Sequence, residues 1–367
     1  MVPATDIGRA VPSLTCALIT HFREFDDGFS KRNLGPQATV EDSKRSGRIR
    51  MKVLVTGAAG FIGSTTAQLL VDQGHEVVGL DNLASGRAEN VPSEATFVEG
   101  DCGNVQLVRS LGRFDACIHF AARIEPSESM RFPEVFFANN VASTFRLLNA
   151  LIDSDVERFV FSSSCAVYGD QVKMPINEDC PTKPHSPYGQ SKRMVEEGLE
   201  WLVDLGRIRA ASLRYFNAAG ATLAHPERHN PEIHLIPIAL DVALGHRQTL
   251  EIFGDDYPTP DGTCVRDYIH VSDLAQAHAL AVTALENHPG LILNLGTGVG
   301  SSNRQVVEIV KQVTQVAIDV RYVERRPGDP AAAVASNGRA RSLLGWEPTH
   351  SDLENIVSDA WAAHQTL

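Results

Sequence analysis

From Met51 onward, short apolar runs alternate with longer amphipathic stretches. Short runs of three to seven residues predict strands at 52–56, 76–80, 96–98, 116–120, 159–161 and 210–216. Stretches with helical spacing lie between them, at 61–73, 105–111, 133–152 and 188–205. Strands separated by crossovers of this length predict a parallel sheet covered by helices on both faces, with ligands at the carboxyl ends of the strands. After Asn217 the pattern loosens and proline, glycine and histidine become frequent. That part predicts a smaller, interleaved α+β domain of loops, short strands and helices. Helices at about 236–244 and 271–285 are expected to pack back on the main sheet. The expected organisation is therefore a Rossmann-like α/β domain over 51–217, rejoined by 235–245 and 268–296, and a mainly substrate-binding domain over 218–367.

The first fifty residues stand apart. They hold six acids and eight bases and end in DSKRSGRIR, and their short apolar patch lacks a basic front and a clean cleavage site. We expect a disordered extension, or a true translation start at Met51. Across the chain the net charge is -12, with 45 acids against 33 bases, which argues against a general nucleic-acid binder or a polybasic membrane partner. The six cysteines form no C-x-x-C pair, so reduced thiols in a cytoplasmic protein are expected. No uninterrupted apolar run approaches the ~18 residues of a membrane span. No histidine pattern such as H-E-x-x-H is present, so no metal is expected.

Two features carry chemistry. VLVTGAAGFIGS sets Gly57, Gly60 and Gly63 between a strand and a helix. Gly57 suits the tight turn, Gly60 the approach of a pyrophosphate, and Gly63 close helix packing. Asp81 ends the next strand, where it suits two ribose hydroxyls and repels a 2′-phosphate, so NAD is expected rather than NADP. Asp101, after the third strand, suits the adenine or a helix N-cap. Further on, Tyr188 and Lys192 lie four residues apart in SPYGQSK, on one helix face, after the run Ser162-Ser163-Ser164. An ammonium beside a phenol favours the phenolate, which gives a base able to take a proton from an alcohol.

GAAGFIGS, DNL, EGD, HFAA, NNV, FSSSCAVYGD, SPYGQSK and RYFNAAGA together resemble the extended short-chain dehydrogenase/reductase family. IFGDDYPTPDGTCVRDYIHVSDLAQAH, NLGTGVGSSNRQVV and RRPGDPAAAVAS are similar to its UDP-sugar 4-epimerases. The resemblance runs from Met51 to about Leu344. It implies interconversion of UDP-galactose and UDP-glucose through transient oxidation at the sugar C4, with NAD recycled in place. It makes Tyr188 the base, Ser164 its partner at the sugar oxygen, and Lys192 the support of the phenolate and the nicotinamide ribose. It places Gly57, Gly60, Phe61, Ile62, Gly63, Asp81, Asn82, Asp101, Cys102, Phe120, Ala121, Ala122, Asn139, Tyr188, Lys192 and Phe216 around the cofactor. Around the UDP-sugar it places Ser164, Asn217, His234, Leu235, Phe253, Arg266, Arg326, Asp329 and Ala333. It also suggests a homodimer through helices of the main domain.

Three positions depart from the pattern. Ile124 stands where a lysine often meets NAD, with Arg123 as a neighbouring substitute. His234 stands where asparagine is common. Ala333 replaces a tyrosine that often narrows the pocket, which leaves room for a 2-N-acetyl group. Alternative readings are a 4-epimerase of UDP-glucuronate, UDP-xylose, UDP-arabinose or UDP-N-acetylhexosamines, and a non-catalytic NAD sensor on the same fold. A 4,6-dehydratase is disfavoured, because Cys165 and Ala166 occupy the positions of its acid pair. His270 reads as a core histidine.

Overall fold

The computed structural model describes residues 50–171, 173–227, 232–326 and 329–366. The expectations for the first forty-nine residues lie outside them. The strands are β1 (Lys52–Thr56), β2 (Glu76–Asp81), β3 (Thr96–Glu99), β4 (Ala116–His119), β5 (Arg158–Ser164), β6 (Arg209–Tyr215), β7 (Asn217–Ala219), β8 (Leu250–Phe253), β9 (Val265–Arg266), β10 (Tyr268–His270), β11 (Gly290–Leu295), β12 (Ser301–Ser302), β13 (Val320–Val323) and β14 (Ala332–Ala333). The helices are α1 (Phe61–Asp72), α2 (Val105–Ser110), α3 (Pro126–Arg131), α4 (Pro133–Phe136), α5 (Thr144–Asp153), α6 (Pro187–Asp204), α7 (Leu235–Ala243), α8 (Val271–Ala284), α9 (Asn303–Thr314), α10 (Gly338–Leu344) and α11 (Leu353–His364).

Seven parallel strands form the main sheet in the order β11-β6-β5-β4-β1-β2-β3. The order reverses between β1 and β4, and the loops leaving them open a crevice there. Each strand has apolar side chains on both faces, as a doubly covered parallel sheet requires. Val53, Val55, Ile118 and Val160 face one core, shared with Leu274, Ala277 and Ala281 of α8. Leu54, Cys117, Phe159 and Phe161 face the other, against Leu147 and Leu148 of α5 and Val195 and Leu199 of α6.

The long helix expected over 133–152 is interrupted. Residues Phe137–Ser143 form a π-helical stretch between α4 and α5, which swings Asn139 and Asn140 toward the loop after β4. Pro133–Asp153 is long and apolar enough to cross a membrane by composition, yet its buried side chains belong to the second core.

After β6 the chain builds a separate core from α7, β8, α9 and α11, centred on Ile236, Leu240, Ile252, Val306, Val310 and Ile356. α8 packs back on α1 beneath the main sheet, as its apolar pattern suggested. α7 does not. It lies in this third core with α9 and α11, because its apolar face meets Val306 and Val307 and not the sheet. The strands β7, β9, β10, β12 and β14 are two or three residues long and tie the two parts together near the carboxyl end of β6.

Candidate active site

Gly57 has φ +71°, and its N–H donates to Leu80 O at 2.9 Å, which turns the chain out of β1. A Cβ on Gly63 would lie 2.1 Å from Gly57 O, so only glycine lets α1 start this close to the turn. At Gly60 a Cβ would meet Gly57 O at 3.3 Å. No side chain caps α1 and no acid lies in its first turn, so its N-terminal N–H groups face the crevice. That is an anion cradle on a twelve-residue helix. Phe61 and Ile62 open the same turn. Asp81 is 9% exposed and braces the loop, accepting from Ala59 N at 3.0 Å and Leu83 N at 2.8 Å. Its oxygens keep lone pairs for further donors. Asn82 follows it, accepting from Ala84 N at 3.1 Å. Asp101 accepts from Gly103 N at 2.6 Å. It is not the cap of α2, a role that Asn104 takes by accepting from Leu107 N. Burial pushes the Cys102 thiol up to about 12. Phe120, Ala121 and Ala122 follow β4 on the opposite wall, where the Ala121 backbone nearly touches Gly57.

Arg123 N donates to Asn139 Oδ1 at 3.2 Å and to Asn140 Oδ1 at 2.8 Å. The Arg123 guanidinium is engaged with Glu128 at 3.2 Å, and Ile124 is 43% exposed.

Ser164 ends β5, and its Oγ accepts from Ala166 N at 3.2 Å. Tyr188 sits in the first turn of α6, which Ser186 caps at Gly189 N and whose Tyr188 N–H donates to Ser129 Oγ at 3.1 Å. The Ser164 hydroxyl is near enough to the Tyr188 phenol to oppose the rise in its proton affinity. One turn on, Lys192 is 3% exposed, and its Nζ donates to Ser162 O at 2.7 Å and stands 5.9 Å from the Tyr188 ring centroid. Serine, tyrosine and lysine thus converge at the carboxyl edge of the sheet.

Their electrostatics differ from the sequence expectation. Burial pushes the Tyr188 phenol up to about 12, against the opposing Ser164 hydroxyl. Burial also brings Lys192 down to about 7, against the neighbouring charge of Glu196. Lys192 alone therefore does not draw the phenol toward neutrality, because desolvation of both groups outweighs their attraction.

Phe216 packs with Val167, Tyr168 and Ala333 beside this corner. Asn217 donates from Nδ2 to Asp267 O at 3.0 Å. Arg266 Nη1 donates to Val265 O at 3.0 Å and Pro330 O at 2.8 Å, and its Nη2 lies 3.7 Å from Asp329. Ala333 pairs with Arg266 across β9 and β14. Arg326 lies 3.8 Å over the Phe253 ring. Leu235 begins α7, with His234 as its N-cap residue. His234 Nδ1 lies 3.0 Å from Glu227 and 2.8 Å from Glu232. Burial would lower this imidazole, yet the two carboxylates hold it up to about 10. The three donors are close enough for a metal, a grouping that no sequence spacing announced. The protonated ring is already paired with both carboxylates. His270 is buried and caps α8 by accepting from Ser272 N at 3.1 Å.

The sequence reading overlooked Asp267, a buried carboxylate that accepts from Thr297 N, Gly298 N and Ala335 N and so ties the loop after β11 to the segment after β14. It also overlooked Glu196 and Arg214. Glutamate four residues after Lys192 and an arginine inside an apolar strand were the available signals.

A family model described as "NAD dependent epimerase/dehydratase family" matches residues 53–296. The chain belongs to this family. Among its relatives, the UDP-glucose 4-epimerase of Streptomyces lividans is 48% identical over 319 residues, covering 86% of this chain and 96% of the relative. The crystal structure of a UDP-glucose-4-epimerase from Stenotrophomonas maltophila, with bound NAD and formylated UDP-arabinopyranose, matches with a TM-score of 0.84 at 38% identity. It covers 86% of this chain and 98% of that one. The Brucella ovis UDP-glucose 4-epimerase in complex with NAD matches at 0.82 and 43% identity, over 84% and 97% of the two chains. Both family members share the seven-stranded core described above.

Proposed function

We propose that this protein is an NAD-dependent isomerase that interconverts UDP-galactose and UDP-glucose. The observation that carries it is the Ser164–Tyr188–Lys192 corner beside a glycine cradle at the reversal point of the sheet. The cradle fits NAD: α1 is uncapped, Gly63 admits no Cβ, and Asp81 stands at the end of β2 for ribose hydroxyls. When bound, NAD supplies reversible oxidation at the sugar C4. Tyr188 takes the 4-hydroxyl proton and returns it to the opposite configuration, while Ser164 holds the same oxygen. Lys192 orders the corner through Ser162 and faces the ribose. Arg266, Arg326 and Asp329, with Asn217, Phe253, His234 and Leu235, receive the uridine diphosphate. Guanidinium forks match phosphate oxygens. The main-sheet part holds the cofactor and the third core carries most of the nucleotide-sugar side.

Incubation of the purified protein with UDP-galactose, without added NAD, is expected to yield UDP-glucose. Conversion only on adding NAD would keep the activity and locate weak retention at Ile124. No conversion in either case would refute the reading. A second substrate class rests on Ala333, a small side chain beside Phe216 where the resemblance often has a tyrosine. Turnover of UDP-N-acetylgalactosamine is expected, and its absence removes that extension.

The same reading includes a homodimer. Met130, Phe132, Val135, Met194 and Trp201 are exposed on adjoining helices α3, α4 and α6, an apolar strip suited to a second copy. Light scattering that gives a monomer would refute it. Free thiols at Cys102, Cys117, Cys165, Cys180 and Cys264 fit a reducing, cytoplasmic setting.

A further inference from the structure

A buried ion pair lies directly beneath the active corner. Glu196 follows Lys192 by one helical turn on α6, so both side chains leave the same face. Its Oε1 accepts from Ser163 Oγ at 2.5 Å and Arg214 Nε at 2.9 Å, and its Oε2 accepts from Arg214 Nη2 at 2.7 Å. Arg214 Nη1 donates to Tyr168 Oη at 3.0 Å, and Tyr168 donates to Asn294 Oδ1 at 2.7 Å. The two charged side chains are only 6% and 3% exposed.

Side chains alternate along β5. Ser162 and Ser164 therefore point to one face, where they meet Tyr215 and Tyr188, and Ser163 points to the other, onto Glu196. Helix α6 is thereby fastened to β5 at consecutive residues, by Lys192 on Ser162 O and by Glu196 on Ser163 Oγ. The next residue of the strand is Ser164, and its partner Tyr188 rides on the same helix.

We propose that Glu196 is a positioning residue of the proton transfer: through Ser163 it holds Ser164 opposite Tyr188, and it is the buried counter-charge of Lys192. This rests on the epimerase reading above. The ionisable groups around Lys192 are Glu196 and Tyr188 on its own helix, Arg214 and Tyr215 on β6, and His119 on β4. Among them only Glu196 brings a negative charge to bear on Lys192 at neutral pH.

The test compares the wild-type holoenzyme with Glu196→Gln/Arg214→Gln and with Ser163→Ala. Both members of the pair are changed together, because removing one strands a buried charge. Steady-state rates with UDP-galactose are measured against pH, and Lys192 is titrated directly by NMR of ¹³Cε-labelled lysine. In the double variant kcat is expected to fall roughly ten- to hundredfold with KM held, since small misplacements at a reacting corner cost about 10²-fold. The alkaline limb and the Lys192 titration both move to lower pH, because the lysine loses the neighbour that keeps its proton. Ser163→Ala, which keeps the charge, lowers kcat without moving either. A lower melting temperature with kcat, limb and titration unchanged marks the pair as merely structural and overturns the proposal. If the double variant does not fold, an unchanged kcat in Ser163→Ala overturns it. If the wild type does not turn over UDP-galactose, the functional reading fails separately. The lysine titration needs no turnover, and an unmoved value then overturns the role of Glu196.

Discussion

Replacing Lys192 with methionine should stabilise the protein while abolishing turnover. Lys192 is 3% exposed, and burial lowers it from 10.5 to about 7. Each tenfold change in proton affinity is about 1.36 kcal/mol, so the buried ammonium carries a penalty of about 5 kcal/mol relative to the neutral amine. The sign follows from proton counts. Between about pH 7 and 10.5 the unfolded chain binds the lysine proton and the folded chain has released it. Wild-type stability must therefore rise with pH across that window. Below pH 7 both states are protonated and the slope vanishes. Methionine fills nearly the same volume, keeps the contact with the Phe161 ring and has no proton to bind.

The assay is denaturant unfolding of both proteins at several pH values, after removal of NAD, because a ligand that Lys192 contacts would shift the two apparent stabilities by different amounts. The variant should be the more stable at pH 7. The gap should close by about 4 kcal/mol as pH approaches 10, since other titrations are common to both proteins and cancel. A variant less stable at pH 7, or a gap independent of pH, would show that Lys192 is comfortably solvated or paired in the fold and would refute the reasoning.

Tyr188→Phe keeps the ring and its packing, so NAD content should be unchanged while kcat falls by about 10²–10⁴, the range of a general base; full turnover would remove Tyr188 from the chemistry. Gly63→Ala puts a Cβ 2.1 Å from Gly57 O. Relief requires α1 to back away from the cradle at about 1–3 kcal/mol, and NAD released on denaturation should fall well below one per chain. Full retention would show that the turn yields without the helix moving.

The main sheet was legible because each of its six strands before residue 217 is a short apolar run bounded by turn residues, and nothing long-range is needed to place them. The second part was less so. Strands such as β9, β12 and β14 have two residues each and no period to read. Helix α7 is apolar nearly all round, so its pattern could not say which core it joins. Within the site, the glycine spacing, Asp81 and the Ser164–Tyr188–Lys192 set were visible as local motifs. Asp267 and Arg214 were not, because they act on partners 18 to 68 residues away.

The electrostatics of the corner were the least legible, since motif spacing reports proximity and not solvation. Tyr188 near 12 beside Lys192 near 7 is a pair in which the phenol keeps its proton and the amine readily loses one. The phenol, the group placed at the sugar oxygen, is not poised to act as a base at neutral pH in that state. The corner becomes competent when positive charge enters it, which favours the phenolate and lowers the proton affinity of Lys192 further. Oxidised nicotinamide is the positive charge that the reaction itself requires. The same burial that penalises Lys192 excludes water from a 4-keto sugar awaiting reduction. A lysine costly to bury, an acid fixed at Glu196 to keep it charged, and a tyrosine held neutral until the cofactor is bound together form one arrangement. Its expected consequence is a Tyr188 that titrates at lower pH with oxidised NAD bound than with reduced NAD bound. Phenolate absorbance near 295 nm, compared between the two forms with Tyr188→Phe as the blank, measures that difference directly. Identical titrations in the two forms would mean that the base is poised by some other group.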